Sequence, residues 1–295
     1  MKYKICTSII TTDFNEAVRL INRNQMVELR LDLMQMNNEQ IGQLIQQSKE
    51  TVVTFREGKY NESERQQALV SAIDNGADYI DVEVEADEHY RKVLVQHARQ
   101  NGCKVIISYH NFDSTPDKEA LANIIRQCQN MDADIVKLIT TANSKADTAR
   151  IISLYDNEEN LVAFAMGEIG KLSRFACLFL GAPFTYASAT EGNEAAPGQL
   201  TTKNMKEIIE LIHPAETKLF AVTGNPILHS RSPILFNGAY PADSYAFFRM
   251  AAQSGEEAIH LFTKLGLSGM NVTAPFKAEA AQLADFCSEE ASVLQ

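Results

Sequence analysis

In "DIVKLIT", residues 134–140, one lysine interrupts an apolar strand pattern: Ile135, Val136, Leu138 and Ile139 flank Lys137. Burying an ammonium group is costly, so a strand interior is a poor place for one unless it has a partner or a task. Burial beside Arg30 or Arg56 would lower the lysine pKa from its ordinary value of about 10.4 and free the nitrogen lone pair to attack a carbonyl. The resulting iminium would acidify the adjoining C–H. His110, which closes "KVIISYH", titrates in the range needed to take that proton and return it to a departing hydroxyl. Lys137 is thus read as a Schiff-base nucleophile and His110 as its general acid and base. A lysine snorkelling from a strand end and a satisfied core histidine are the structural readings of the same residues.

Other charges fall where such a pair would need them. In "VELRLDL" strand alternation puts Glu28, Arg30 and Asp32 on one face and Val27, Leu29, Leu31 and Leu33 on the other. The apolar face is expected to pack on helices, leaving three charges pointing inward, where they require partners. A structural ion-pair ladder would look the same. Arg56 ends the next β-rich run, and Asp81 and Glu83 share a face of the one after.

The elements that must position these groups repeat regularly. Up to about residue 213, eight β-rich runs alternate with longer stretches, several of amphipathic helical pattern: "YKICTSII", "MVELRLDLM", "TVVTFR", "YIDVEV", "KVIISYH", "DIVKLIT", "NLVAFAM" and "FTYASA". Several helical patterns stop at Asn-Gly or Gly, the usual C-terminal signal. Alternation implies a parallel sheet, and eight units in this length predict an α/β protein built on a TIM (β/α)8 barrel, with a doubly wound open sheet as the other arrangement. In a barrel the strand C-termini form the mouth, so His110, Lys137 and the charged positions would converge there. "HPAETK", 213–218, reads as a linker. Beyond it "KLFAVTG", "SYAFFRMA" and "GMNVTAP" alternate with helical patterns, a smaller open α/β unit.

Totals exclude several classes of function. The 295 residues carry a formal net charge of -11, which disfavours nucleic acid and anionic membranes as partners. No apolar run approaches the roughly 20 residues of a membrane span. The five cysteines are scattered, without CxxC or zinc spacing, so a reducing cytoplasm and no metal are expected. No G-x-G-x-x-G occurs, so neither unit carries a dinucleotide fingerprint.

With these residues placed, residues 1–213 resemble the type I 3-dehydroquinate dehydratases, TIM-barrel enzymes of the shikimate pathway of aromatic amino-acid biosynthesis. The resemblance runs through "ELRLD", "TFRE", "SYHNF", "DIVKL", "MGEIGKLSR" and "AAPGQ", in family order. It implies that Lys137 forms the imine with 3-dehydroquinate, that His110 serves as general acid and base, and that no cofactor is needed. It further implies that Ser8, Glu28, Arg30, Arg56, Arg174 and Gln199 hold the substrate's hydroxyls and carboxylate. Arg174 is the natural partner for the carboxylate, since a guanidinium grips one bidentately. Ala195 stands where that family usually has serine. "TEGNEAAPGQ" reads as a loop able to close over substrate, with Gly192, Pro197 and Gly198 near its bends.

Residues 219–295 resemble the substrate-binding half of shikimate dehydrogenase through "GNPILHSRSP" and "GMNVTAPFK". That likeness implies that Ser230, Ser232 and Thr273 bind shikimate or 3-dehydroshikimate and that Lys277 is the catalytic lysine. "SRSP" also fits a plain helix cap, Ser232 as N-cap and Pro233 at N1. The expectation is a bifunctional enzyme of which this chain carries an active dehydratase and an incomplete dehydrogenase, NADP serving only the full-length form. A class I aldolase on the same fold would also form an imine on Lys137, and a non-catalytic scaffold is the reading from a different class. A single chain and a homodimer both remain open.

Overall fold

A computed structural model describes residues 3–288, apart from 59, 157, 191, 193–198, 212–217, 228 and 240–244. Eight strands alternate with eight helices. The strands are β1 (Ile5–Ile9), β2 (Met26–Arg30), β3 (Thr51–Thr54), β4 (Tyr79–Glu83), β5 (Lys104–His110), β6 (Ile135–Thr141), β7 (Leu161–Met166) and β8 (Thr185–Ser188). The helices are α1 (Phe14–Arg23), α2 (Asn38–Gln47), α3 (Glu62–Asp74), α4 (Glu88–Gln100), α5 (Lys118–Gln129), α6 (Lys145–Ile152), α7 (Gly167–Phe179) and α8 (Thr202–Leu211). The sheet runs β7-β6-β5-β4-β3-β2-β1-β8 with every pair parallel, a nearly closed TIM barrel as the eightfold alternation predicts.

Local chemistry explains the breaks. The side chains of Asp13, Asn37, Asn61, Asp87, Asp117 and Ser144 cap the first turns of α1 to α6 by accepting backbone N–H bonds. α3 and α4 end at Asn75-Gly76 and Asn101-Gly102, with both glycines at positive φ. One expectation is corrected. β2 stops at Arg30, and backbone bonds from Leu33 and Met34 to the Arg30 carbonyl turn the chain. Asp32 therefore does not extend the strand's charged face, and Leu33 is 42% exposed rather than packed on a helix.

Strand alternation fills the barrel in layers. Cys6, Met26, Val52, Tyr79, Ile106, Ile135, Val162 and Phe184 form an apolar plug, each from a different strand or the residue next to it. Two residues further along lie Ser8, Glu28, Thr54, Asp81, Ser108, Lys137, Phe164 and Tyr186, the same face one step nearer the strand C-termini. A second step brings Arg30, Arg56, Glu83, His110, Ile139 and Met166. The plug seals one end, and polar chemistry occupies the other.

Helix α7 lies hard against β7. At Gly170 a Cβ would fall inside contact distance of the Ala165 backbone carbonyl, which cannot swing away as a side chain can. We expect Gly170→Ala to lower stability by roughly 1–3 kcal/mol, the usual range for overpacking, read from the urea unfolding midpoint. An unchanged midpoint would show that α7 can slide outward at no cost.

The second unit is a three-stranded parallel sheet ordered β10-β9-β11, from β9 (Lys218–Gly224), β10 (Tyr245–Ala251) and β11 (Gly269–Val272). Its helices are α9 (Ser232–Ala239), α10 (Gly255–Lys264) and α11 (Lys277–Leu283). Met250, Ala258, Leu261 and Phe276 form its core together with Ile152 of α6, so this unit packs on the barrel's flank. Lys145 Nζ donates to Asn225 Oδ1 at 3.3 Å across the same seam.

Candidate active site

Lys137 projects from the middle of β6 and is 5% exposed. Its ammonium donates to Asp81 Oδ2 at 2.8 Å and approaches Glu28 Oε1 at 3.5 Å. On another side Nζ lies 4.0 Å from the ring centroid of Tyr186, a cation–π contact. The groups that touch this lysine are therefore carboxylates and an aromatic face, not the guanidiniums expected from sequence. An ammonium without a partner would be costly here, and two anions at these distances are what allows it to be buried.

The carboxylates are themselves pinned. Glu28 accepts from Ser8 Oγ at 2.7 Å and Thr54 Oγ1 at 2.8 Å, and Asp81 accepts from Ser108 Oγ at 2.6 Å. Burial is the largest single influence and pushes both acids toward the neutral form, but the attraction of Lys137, the hydroxyl hydrogen bonds and a nearby guanidinium together outweigh it. Arg30 adds to that pull at Glu28 and Arg56 at Asp81, so both carboxyls titrate below their ordinary values. Thr54 and Ser108 were not singled out from sequence. Their signal is the two-residue step from the apolar plug, visible only once the inward face is known.

His110, half-buried, stands one layer above Lys137. Arg56 Nη2 lies 2.7 Å from His110 Nε2 and Nη1 lies 3.1 Å from Nδ1. A guanidinium only donates and a neutral imidazole accepts at one nitrogen, so only one of these contacts is a hydrogen bond. Burial first, then Arg56, Lys137 and Arg30, hold the imidazole well below its usual value. The ring is therefore neutral at pH 7, with a lone pair available as a base. Phe112 stacks beside it, the centroids 6.1 Å apart.

This arrangement makes a testable statement about charge. Arg56→Gln removes a cation that opposes protonation, so His110 should take up its proton at a higher pH. Following the His110 ring by NMR, we expect the titration midpoint to move upward toward about 6.5, the unperturbed value. A midpoint that stays put would mean burial and the other two cations set it without Arg56.

The remaining arginines differ in kind. Arg56 also reaches Glu83 Oε1 at 3.5 Å, and Arg65 Nη2 bonds Glu83 Oε2 at 2.6 Å. Glu57 is exposed and donates its backbone N–H to Glu83 Oε2 at 3.3 Å. Arg30 is gripped bidentately by Asp32, at 2.9 and 2.6 Å. Arg174 is 1% exposed, with its guanidinium carbon 4.5 Å from the Phe164 ring centroid, and burial brings its pKa down to about 10.

Ser8, Glu28, Arg30, Arg56, His110, Lys137, Arg174 and Gln199 all line one pocket at the mouth of the barrel. Phe112, Ile139, Phe164, Met166 and Tyr186 complete it and were not identified from sequence. Ala195, Pro197 and Gly198 lie outside the described residues.

In the second unit, Thr273 directly follows β11, Ser230 stands two residues before α9 in the loop after the adjacent strand β9, and Ser232 and Lys277 begin the helices α9 and α11. Thr273 N–H bonds the Thr223 carbonyl at 2.9 Å and Asn225 N–H the Ala274 carbonyl at 3.1 Å, which fastens the two loops together. The β10-β9-β11 order reverses direction between β9 and β11, the place where open α/β sheets bind ligands. The cap reading is corrected here. α9 begins at Ser232 itself, and the hydroxyl that accepts from its N–H is that of Ser230, at 3.4 Å.

A parallel eightfold barrel with a lysine buried at mid-strand, paired to two carboxylates below a neutral histidine, defines a lysine-bearing TIM-barrel class. The chain belongs to the type I 3-dehydroquinase family, whose model matches residues 5–216. The model for the shikimate dehydrogenase substrate binding domain matches residues 222–295. A bifunctional 3-dehydroquinate dehydratase/shikimate dehydrogenase of Arabidopsis thaliana is 31% identical over 274 residues, covering 88% of this chain and 45% of the relative. The chain thus spans just under half the length of that protein. A 3-dehydroquinate dehydratase of Methanococcus maripaludis is 34% identical over 220 residues, 70% of this chain and 99% of the relative. Among solved structures, the Aquifex aeolicus 3-dehydroquinate dehydratase aligns at TM-score 0.61 and 28% identity, over 70% of this chain and 96% of that one. The dehydroquinate dehydratase and shikimate dehydrogenase structure from S. pombe shares the fold at TM-score 0.63 and 24% identity, covering 99% of this chain and 60% of that one.

Proposed function

We propose that residues 1–213 dehydrate 3-dehydroquinate to 3-dehydroshikimate through an imine on Lys137, within the shikimate pathway of aromatic biosynthesis. The observation that carries this is one pocket in which a buried lysine, a neutral histidine and three arginines face the same space. Arg174, Arg56 and Arg30 supply the positive field for a substrate carboxylate, and Ser8, Glu28 and Gln199 supply hydrogen-bonding groups for hydroxyls. Once its ammonium has passed a proton to the adjacent Asp81 or Glu28 carboxylate, Lys137 attacks the ketone carbon, and the oxygen leaves as water with that proton and one shed by the nitrogen, giving an iminium. His110 then removes a proton from the adjoining carbon, and the electron pair forms an enamine. As the β-hydroxyl leaves, it takes that proton from His110 and departs as water. Hydrolysis of the conjugated iminium releases product and restores the amine, so every proton balances without a cofactor.

Residues 219–295 are the candidate binding unit for shikimate or 3-dehydroshikimate, through Ser230, Ser232, Thr273 and Lys277. This reading is supported by their positions after β9 and β11 and at the starts of the helices that follow; residues 219–295 carry no G-x-G-x-x-G, and NADP would serve the full-length dehydrogenase. The electronegative chain and its scattered thiols favour a cytoplasmic enzyme acting on small molecules. Among the described residues no helix is long and apolar enough to cross a membrane.

The test is reductive trapping. Borohydride added with 3-dehydroquinate should leave one reduced adduct, on Lys137, located by peptide mass mapping. An adduct on another lysine, or none in a preparation that turns substrate over, would end the Schiff-base assignment.

A further inference from the structure

Tyr186 occupies the layer that holds Lys137, entering it from β8. It is 3% exposed and lines the pocket, yet its hydroxyl has no hydrogen-bond partner among the described residues. Such a group is unusual, because a buried hydroxyl without a partner forfeits its hydration and receives nothing in return. Packing does not require it. Phe184 and Phe164 lie against the ring at centroid distances of 5.5 and 6.4 Å, apolar contacts that phenylalanine would make equally well. Nor does the lysine require it, since Nζ sits over the ring face rather than beside the oxygen.

We propose that the Tyr186 hydroxyl donates a hydrogen bond to the substrate's carbonyl oxygen while Lys137 attacks the carbonyl carbon. This deepens the dehydratase reading and rests on it. Because Nζ stands 4.0 Å from the ring centroid, a carbon bonded to that nitrogen brings its oxygen into the neighbourhood of the same ring's hydroxyl. The C–N bond forms, the C=O π pair moves onto oxygen, and the proton that oxygen gains is the one nitrogen sheds. The tyrosine is not consumed. Burial first, then the negative charge of Glu28, holds the phenol well above its usual range, so it remains a donor across the working pH range. A donor aimed at an oxygen that gains charge acts more strongly in the transition state than in the ground state.

The experiment is Tyr186→Phe, which keeps the ring, and hence the lysine contact, and removes only the oxygen. Two readouts are taken together. Thermal unfolding of the unliganded protein should shift to higher temperature, because an orphaned buried hydroxyl has been removed. Borohydride-quenched single turnovers should show adduct forming on Lys137 at least about tenfold more slowly, the lower end of what one hydrogen bond to a developing charge contributes. The adduct should still reach the wild-type final yield. Unchanged or lower thermal stability would mean the hydroxyl has a partner within the protein. A wild-type rate of adduct formation would mean it does not touch the carbonyl oxygen. Either result overturns the proposal. Failure of the underlying dehydratase reading would show separately, as absence of any Lys137 adduct in the wild-type protein.

Discussion

Replacing Lys137 by methionine should remove turnover of 3-dehydroquinate and the borohydride adduct together, with a rate loss of at least about 10⁴-fold because the covalent route is closed. Methionine is the informative choice because it nearly preserves the volume while removing the charge. Its effect on folding can also be stated. Glu28 and Asp81 both lean on this ammonium, at 3.5 and 2.8 Å. Without it two buried carboxylates remain with a reduced countercharge, and breaking such a pair costs about 3–5 kcal/mol. The pH dependence has a definite sign. In the wild type both acids titrate below their ordinary values of 4.5 and 3.8, so their contribution is present above those values and lost as pH falls through the lower folded values. In the variant the two acids repel and bind protons more readily, so the penalty is largest near neutrality and shrinks on acidification. Urea unfolding at pH 7 and pH 5 checks this. A variant equally destabilised at both values would show that the lysine contributes packing rather than charge.

His110→Ala should separate the two halves of the chemistry. Imine formation needs only the lysine and a held substrate, so the adduct should still be trapped. Proton transfer should slow by roughly a hundredfold or more, the usual contribution of a positioned general base. Arg56, now facing an alanine, would remain beside Glu83, so the local fold should survive. The expected signature is a variant that accumulates trappable adduct yet releases the conjugated enone slowly, followed by ultraviolet absorbance. Turnover at the wild-type rate would remove the base from His110 and require another residue of the pocket to carry it.

Much of the barrel was legible because β-strand chemistry has a period of two and each strand is short. "TVVTFR", "KVIISYH" and "DIVKLIT" appear as β3, β5 and β6 with their ends displaced by no more than two residues. The clearest miss of an element boundary is "VELRLDL". Its alternation continues past Arg30 without interruption, while the chain turns there because Leu33 and Met34 bond back to the Arg30 carbonyl. Nothing in the side-chain pattern records that bond. Tyr186 was missed for a related reason: in "FTYASA" a tyrosine is ordinary strand material, and only the contact of its ring with Lys137 sets it apart.

Sequence alone therefore determined which residues share a face. Covalent geometry sends alternate side chains to opposite sides of a strand, so Glu28 with Arg30, Asp81 with Glu83, and Lys137 with Ile139 follow from numbering. Sequence could not determine which residue of one strand stands level with which residue of another. That depends on the stagger of the closed sheet, in which Ser8 pairs with Glu28, Glu28 with Val52, and Thr54 with Asp81. Stagger set Asp81, rather than a guanidinium, against Lys137, and put Arg56 against both nitrogens of His110. At these separations a change of one strand step, about 3.3 Å, would exchange a hydrogen bond for a gap. The kinds of groups present were fixed along the chain, but their pairing, and with it the charge state of the base, was fixed by how the barrel closes.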